Sequence, residues 1–471
     1  MKQKTFYLLR SNSYISSIIL LILMINIIMY YRDFRMMNLD NWVQIIEPSF
    51  LYHDFLKSIL YYHGNPPGLS IIYYLAEKIS FGNRSIFFEI IFPILHCICF
   101  SLFYKVLVVK KIHFRKVIAA ILFLNPLIFV YFKFPFYSSL IFVSSCFLLY
   151  VWTSEDISAN KRLLYTAIIL SFNGFLRSSW HIVFILLILA PFFVKANNRY
   201  RIISLLILII PLSVYIKNYI VFHKFVTSSW TPMNLARAHI PWECDCKTIS
   251  KVPAFSPPQY YQPYITKDPL QEKYKDIPIL NRDAGNNVIL FAVGDMYTKD
   301  LKKCFSIEWS LRQVLQGIFY FYRSPVDYAY LKKRTGGILE DNVYFCYDFF
   351  NINENPGSDL NPLSKAEMYF KNLSIYTFIY IFIIIYFIVN IKRLTFNERL
   401  IFIIMVLYSG IYATTDFYES NRMRFEIEPF YYFFVILGFN SLLNKKVFQD
   451  SEDQKVDITL SFNIKSGVKR K

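Results

Sequence analysis

Long apolar runs recur along this chain of 471 residues, and they constrain its fold more than any other feature. Hydrophobic side chains make up 55% of the sequence and aromatic ones 19%, mostly as Ile, Leu, Phe and Tyr. A helix crosses a bilayer with roughly 20 apolar residues, because lipid offers no partner for the backbone polar groups. The sequence therefore predicts an all-α polytopic membrane protein.

About ten segments are long and apolar enough to be transmembrane helices. Two amphipathic segments, 66–79 and 306–331, are expected to lie at the outer membrane surface. One long outer-side loop separates the early spans from the last ones. The predicted spans are 14–31, 84–109, 117–133, 137–152, 162–176, 180–194, 202–222, 374–391, 398–414 and 429–443.

Lysine and arginine concentrate in the short loops on one side of these spans, which places that side and the N-terminus in the cytoplasm. Much of the net charge of +18 is explained by this positive-inside pattern, so no nucleic-acid partner is expected. The sequence indicates a multi-pass integral membrane protein and favours the bacterial inner membrane over the endoplasmic reticulum.

This topology divides the chain into consecutive regions. The N-terminal transmembrane half, 1–222, contains the first outer loop, 32–83, which is the expected catalytic loop. Residues 223–373 form an outer-side loop region, periplasmic or lumenal. The C-terminal transmembrane helices fill 374–443, and 444–471 are predicted to be a disordered cytoplasmic tail.

The seven cysteines fall into two groups. Cys97, Cys99 and Cys146 lie in apolar spans and are expected to be inert packing residues. The others fall in the outer-side loop, where an oxidising compartment permits two disulfides; they are Cys244, Cys246, Cys304 and Cys346. The sequence does not decide between disulfides among these four cysteines and free thiols. A zinc site is less favoured because no histidine pair has the required spacing.

Acidic residues follow the first span, where a carboxylate close to the bilayer is costly unless it lines a wet cavity. Asp40 is the leading candidate for a base that takes a proton from an acceptor hydroxyl, and Asp33 is the alternative. For Asp33, an interfacial ion pair with Arg32 or Arg35 is the favoured reading. Asp54 continues a helical stretch and is expected to be structural.

Cations on the predicted outer side are candidates for binding a phosphate, since arginine binds phosphate oxygens in a bidentate manner. Arg177 has no acidic neighbour in the sequence, whereas Arg422 and Arg424 have several with which they could pair. His63 precedes a Pro-Pro turn, and His181 shares a helix face with Arg177 if that helix continues. Either histidine is a candidate phosphate or metal contact, with an ordinary interfacial role as the alternative.

Several patches together resemble a family, the polyprenyl-phosphate-sugar-dependent glycosyltransferases of the C fold. This superfamily includes protein O-mannosyltransferases and lipid A aminoarabinose transferases. Each patch is weak alone, but their order and shared sidedness make the set more specific. The patches are LDNW, SILYYHGNPPGLSIIYYL, LNPLIFVYFKFPFYSSL, FLRSSWHIVF with KNYIVFHKFVTSSWTPMNL, and NRMRFEIEP, spread over about residues 33–440.

The resemblance implies a donor, an acceptor and roles for particular residues. A polyprenyl-phosphate sugar would be the donor, and a lipid, a glycan or a protein the acceptor. Asp40, or else Asp33, would be the base, Arg177 and Arg422 would contact phosphate, and the His63–Pro67 turn would shape the site. No Asp-Glu pair follows the first span as it does in the mannosyltransferases, so the base and any use of a divalent cation stay open.

Three functions are weighed. An inverting transferase that uses a lipid-phosphate sugar ranks first, because direct displacement at the anomeric carbon inverts it. An O-antigen ligase or polymerase that uses a lipid pyrophosphate oligosaccharide ranks second, since such enzymes share the spans, the long loop and the outer arginines. A transporter without chemistry ranks third, because the predicted span centres are nearly uncharged.

Overall fold

The computed structural model describes residues 2–37, 44–241, 244, 258–265, 267–277, 286–321, 375–415 and 420–444. Every regular element in these ranges is helical, and no strand occurs among them. The all-α prediction is therefore confirmed for the described residues. The predicted tail beyond residue 444 lies outside them.

The helices of the N-terminal half begin with one long helix that leads into the first outer loop. They are Lys2–Tyr31, Pro48–His53, Phe55–Tyr61, Gly68–Ile79, Arg84–Val109, Arg115–Phe123, Pro126–Phe132, Tyr137–Thr153, Ala159–Leu176, Ile182–Lys195, Asn198–Ile207 and Ile209–Phe222. Those that follow are Thr231–His239, Pro269–Lys273, Ile289–Cys304, Ile307–Phe321, Ile375–Asn390, Phe396–Thr415, Ser420–Glu426 and 428–444, with single 3-10 turns at Pro258–Tyr260 and Gln262–Tyr264.

Within the described ranges, three helices are long and apolar enough to cross a membrane. They are Ser13–Tyr31, Arg84–Val109 and Phe396–Thr414. The number rises to five if each of two bent helix pairs is one span, and three further apolar helices are shorter. The chain is thus an all-helical protein with several membrane-length helices. The count of ten spans is not confirmed.

Two predicted spans, 117–133 and 202–222, are each broken into two helices. The first bends by 49° between Phe123 and Pro126. Here Asn125 caps the new helix, because its side chain accepts a hydrogen bond from the backbone N–H of Leu127 at 2.9 Å, and a proline follows at the first helical position. The second pair bends by 41°. Pro211, in the first turn of its second helix, has no N–H to donate to the carbonyl of Ile207, and its ring crowds that carbonyl, so the first helix ends there.

The Tyr137–Thr153 helix lies at the centre of the main core. Nearly all of its residues are buried, and it packs against the Arg84–Val109, Ala159–Leu176 and Ser420–Glu426 helices. A helix that is apolar on every side is expected to be surrounded by other helices. This element therefore positions groups from early, middle and late parts of the chain around one axis.

The outer-side loop region contains a small core of its own, built on Trp230, Met233 and Tyr297. A disulfide joins Cys244 to Cys304 within it, which gives one of the pairings that the sequence left open. Cys246 and Cys346 lie outside the described residues. Cys97, Cys99 and Cys146 are buried thiols, as predicted.

The amphipathic prediction at 306–331 is described only as far as Phe321. The Ile307–Phe321 helix packs against the Phe396–Thr415 helix, where Gly317 lies against the backbone of Ala413. Its opposite face exposes Ile307, Leu311 and Leu315. The helix is therefore amphipathic, and part of it contacts the bundle.

Polar contacts between distant segments join loops that the sequence assigns to the same side. Lys110 pairs with Glu398 at 2.8 Å between two predicted cytoplasmic ends. On the predicted outer side, the backbone N–H of Met37 donates to the carbonyl of Lys133 at 3.0 Å. The orientation of the protein in a membrane stays a prediction.

Candidate functional site

The turn that follows His63 packs directly onto the end of the Ala159–Leu176 helix. Pro66 and Pro67 fix the backbone just before the Gly68–Ile79 helix. A Cβ atom at Gly68 would lie 2.5 Å from the carbonyl oxygen of Phe175, so only glycine permits this approach. The turn is thereby held close to Arg177, which directly follows the last residue of that helix.

His63 lies behind this turn and holds it in place through hydrogen bonds. Its ring Nδ1 is 2.9 Å from the hydroxyl of Ser229, and its backbone N–H donates to the side-chain oxygen of Asn286 at 3.0 Å. The ring also contacts Phe222 and Phe291, and the residue is fully buried. Burial lowers the pKa of His63 to about 3, because the charged ring would lose its hydration.

The structure therefore corrects the expectation that His63 contacts phosphate. The ring lies behind the turn, among other side chains, and is closed to a ligand. Its position agrees with the alternative of shaping the site. Asp54 is structural in the same way, since its side chain caps the Phe55–Tyr61 helix by accepting from the backbone N–H of Lys57 at 3.1 Å.

Arg177 ends the Ala159–Leu176 helix, and its side chain is buried. Its guanidinium donates to the Glu426 carboxylate and lies 4.2 Å from the ring centre of Tyr137 and 5.1 Å from that of Tyr412. The sequence gives Arg177 no acidic neighbour, yet the fold supplies one from 249 positions away. The charge of Arg177 is thus neutralised by a residue that is remote in the sequence but in direct contact, and its guanidinium lies between two aromatic rings.

Glu426 belongs to a segment that the sequence predicts as an outer loop, 416–428. The structure instead places a helix, Ser420–Glu426, across its second part, and its described side chains, 423–426, are buried. Ser138 donates to the Glu426 carboxylate at 3.0 Å, and the Tyr408 hydroxyl donates to it as well. Paired charges can be buried in this way when every carboxylate oxygen has a donor.

Arg424 lies in the same helix but belongs to a different pair. Its guanidinium donates to the Glu428 carboxylate at 3.0 Å, and both residues are buried. The predicted pairing with a nearby acid therefore occurs, and the described contacts give no phosphate role to Arg424. The backbone of Arg422 is helical, and its side chain lies outside the described residues.

The candidate bases are placed differently. Asp33 is exposed and pairs with Arg35 at 3.0 Å, which matches the interfacial ion pair favoured for it. Asp40 lies outside the described residues. The described chain resumes at Gln44, four positions later, and that residue lies in the wall of a cavity.

This outer cavity has a volume of ≈ 250 Å³ and collects side chains from widely separated segments. Its wall is mostly hydroxyl, amide and aromatic. We call it the outer cavity; it is lined by Gln44, Asn65, Tyr137, Arg177, Ser178, Ser179, His181, Ser228, Trp230, Thr231, Asn234, Ile411 and Tyr412.

Arg177 and His181 both line the outer cavity, but not as neighbours on one helix. The helix ends at Leu176 and a new one begins at Ile182, with His181 as its N-terminal cap. The ring of His181 accepts from the backbone N–H of Val183 at 3.3 Å. Desolvation lowers the pKa of His181 below its usual range, so the ring is neutral at physiological pH.

Several wall residues were missed by sequence reasoning. Thr231 and Asn234 lie three positions apart on the Thr231–His239 helix and face the outer cavity together. The patch SSWTPMNL contains both residues, but it matches no catalytic or binding motif that would have singled them out. Glu426, behind the wall, was expected only as a partner for Arg422 or Arg424, because Arg177 is remote from it in the sequence.

No group of three or more potential ligands that could hold a metal occurs among the described residues. The use of a divalent cation stays a prediction. Comparisons with protein-family models, with curated proteins and with solved structures found no match. The function of this chain is therefore inferred from its own residues.

Proposed function

We propose that this chain is an integral membrane glycosyltransferase. It moves a sugar from a polyprenyl-phosphate donor to a lipid, glycan or protein acceptor on the outer side of the membrane, with inversion. The observation that carries the proposal is the outer cavity, which gathers Asn65 of the His63–Pro67 turn with Arg177 and His181. These residues come from patches that the family resemblance singled out.

The position of the cavity suits the chemistry. A polyprenyl phosphate is a good leaving group that stays anchored in the bilayer, so its transferase needs a site at the membrane boundary. Arg177 ends one apolar helix, and Tyr412 lies near the end of another. The outer cavity is thus at the ends of bundle helices, next to the described part of the first outer loop.

The proposed reaction is a direct displacement. Asp40 takes the proton of the acceptor hydroxyl while the acceptor oxygen bonds to the anomeric carbon. The bond from that carbon to the phosphate oxygen breaks, and its electron pair leaves on the phosphate. Arg177 lies in the wall and offsets the developing negative charge, although Glu426 shares its guanidinium.

The test is sugar transfer by the purified protein in nanodiscs, from a radiolabelled polyprenyl-phosphate sugar to a membrane extract that supplies acceptors. The Asp40→Asn variant should lose transfer by at least about a hundredfold, since general-base catalysis contributes that much. The matched control is Asp33→Asn, whose exposed pair with Arg35 leaves transfer unchanged. Full activity of the Asp40 variant would contradict the assignment of the base.

The Arg177→Lys variant tests the donor side of the site. Lysine keeps the charge but loses the planar, multiple donation of arginine, so use of the donor should fall while the amount of folded protein stays the same. Turnover with only a lipid pyrophosphate oligosaccharide would favour the ligase alternative. Movement of the donor across the membrane without transfer would favour a transporter.

A further inference from the structure

The described part of the outer cavity's wall carries almost no net charge. Among the described lining residues none is a carboxylate, and Arg177 is the single permanent cation. Its charge is offset by Glu426, which approaches from behind the wall. Away from the anomeric carbon, where the proposed reaction puts Asp40, an ionic group on the sugar would find no unpaired opposite charge in the described wall, and the desolvation of that group would be uncompensated.

Some polar side chains of the wall make no hydrogen bond to any described residue. These are Asn65, Ser178, Thr231 and Asn234, all of which line the outer cavity. Amide and hydroxyl groups both donate and accept hydrogen bonds. Sugar hydroxyls do the same, whereas a phosphate accepts only, so this set of groups matches a polyhydroxylated ring better than an anion.

These groups are held on a rigid frame. The Ser228 hydroxyl donates to the carbonyl of Gly64, which ties the His63–Pro67 turn to the start of the Thr231–His239 helix. The backbone N–H of Trp230 donates back to the Ser228 hydroxyl at 3.1 Å. The wall is therefore organised before a ligand binds, which lowers the entropy cost of binding.

We propose that the outer cavity selects a donor whose sugar is uncharged, and that Asn65, Ser178, Thr231 and Asn234 bind its hydroxyl groups. This inference rests on the proposed function, and it names the class of sugar that the same site takes. The charge of an amino sugar or of a uronic acid would meet the Arg177–Glu426 pair, in which each charge is already offset by the other. Burying such a group in this wall would therefore cost more free energy than burying a sugar hydroxyl.

The experiment measures binding by isothermal titration to the full chain in nanodiscs. The probes are farnesyl-phosphoryl glucose, farnesyl-phosphoryl aminoarabinose, farnesyl-phosphoryl galacturonic acid and farnesyl phosphate. The glucose probe should bind at least about tenfold more tightly than each of the others, since one satisfied hydrogen bond is worth roughly that factor. Equal or tighter binding of a charged sugar, or of farnesyl phosphate, would overturn the proposal, as would no binding of the glucose probe.

A charge substitution sharpens the test. The Asn234→Asp variant keeps the side-chain shape but adds a carboxylate to the wall, so it should weaken binding of the glucose probe about tenfold and strengthen binding of the aminoarabinose probe. The matched control is Asn198→Asp, an exposed residue at a helix start remote from the cavity, which leaves both affinities unchanged. An unaltered preference in the Asn234 variant would also overturn the proposal.

Transfer is measured on the same preparations, which separates the two proposals. Tight binding of the glucose probe without sugar transfer from any long-chain donor would reject the proposed function and leave the choice of sugar intact. Transfer that proceeds equally well from charged donors would reject the inference and leave the proposed function intact.

Discussion

Two cavities in this protein differ in size and in kind. The outer cavity has ≈ 250 Å³ and a wall with several hydroxyl and amide side chains, whereas a groove between the Arg115–Phe123, Ile375–Asn390 and 428–444 helices has ≈ 490 Å³ and is lined mostly by aliphatic and aromatic side chains. Each has a buried ion pair beside it, Arg177–Glu426 at the outer cavity and Arg424–Glu428 at the groove. The larger cavity therefore has fewer groups that could orient a reacting molecule.

The two ion pairs differ in the sequence separation of their partners, although their carboxylates are only two positions apart. The Arg424–Glu428 pair is local, at a spacing of four residues along the chain. The Arg177–Glu426 pair joins the middle of the chain to its end, and it sets the position of a residue in the polar wall. We therefore expect both pairs to matter for stability and only the second to matter for the donor.

The largest expected effect comes from removing one carboxylate of each pair. Glu426→Gln and Glu428→Gln should each lower the free energy of unfolding by about 3–5 kcal/mol, because each leaves a buried guanidinium without its counter-charge. Thermal or denaturant unfolding in detergent measures this. Where folded protein is recovered at low temperature, only the Glu426 variant should lose donor binding.

A double variant separates charge from shape at the outer cavity. Arg177→Gln combined with Glu426→Gln should be more stable than the sum of the two single changes predicts, since no unpaired charge remains. Strict additivity of the two changes, or equal loss of donor binding in the Glu428 variant, would break the comparison between the cavities.

A smaller effect is expected at the contact between the turn and its supporting helix. Gly68→Ala should cost about 1–3 kcal/mol of unfolding free energy, because the added methyl meets the backbone of Phe175 and the backbone must move. The matched control is Gly410→Ala, where a Cβ meets nothing within 4 Å and the helix gains up to about 1 kcal/mol. Equal stability of the two variants would show that the turn is not braced as described.

The buried ring of His63, which supports the turn beside the outer cavity, makes the stability of the fold depend on pH. The unfolded chain binds a proton on this ring near pH 6.5, whereas the folded protein holds it neutral until about pH 3. The unfolded state therefore carries more protons between these values, and stability falls as the pH is lowered through them.

From pH 7.5 to pH 5 this single group should reduce the unfolding free energy by about 2 kcal/mol. A His63→Gln variant should lose that part of the pH dependence when unfolding is compared at the two values. The same slope in wild type and variant would assign the effect to other groups.

The smallest effect is expected on the surface of the outer region. Lys224 pairs with Asp295 at 2.6 Å, but both side chains are partly exposed, at 33% and 60%. A Lys224→Gln change should alter stability by less than about 0.5 kcal/mol, because solvent screens such pairs. Chemical denaturation checks this, and a loss above 1.5 kcal/mol would show that the outer region depends on surface charge.

The fold could be predicted where the signal is local. Apolar length identified the Arg84–Val109 and Phe396–Thr415 helices, and the Pro-Pro turn correctly marked the start of the Gly68–Ile79 helix. Breaks within apolar runs were missed at 117–133 and 202–222, because apolarity alone does not distinguish a straight span from two helices.

The site could be predicted only in part, for a physical reason. Arg177, His181 and the turn after His63 were singled out, and they do meet at one cavity or directly behind it. The pairing of Arg177 with Glu426 could not be read from the sequence, since a contact across 249 positions leaves no local pattern. The pairing of Arg424 with a nearby acid was expected, because the two residues are close in the sequence, and Glu428 is its partner.

The central claim is that the first outer loop and the outer cavity form one donor site. It is tested most directly by a cryo-electron microscopy map of the protein in nanodiscs with a non-hydrolysable polyprenyl-phosphonate sugar. The account predicts the sugar against Asn65 and Asn234, the phosphonate on the Arg177 side, and the Asp40 carboxylate facing the anomeric carbon. A map with the donor in the apolar groove, or with Asp40 turned away from the outer cavity, would contradict it.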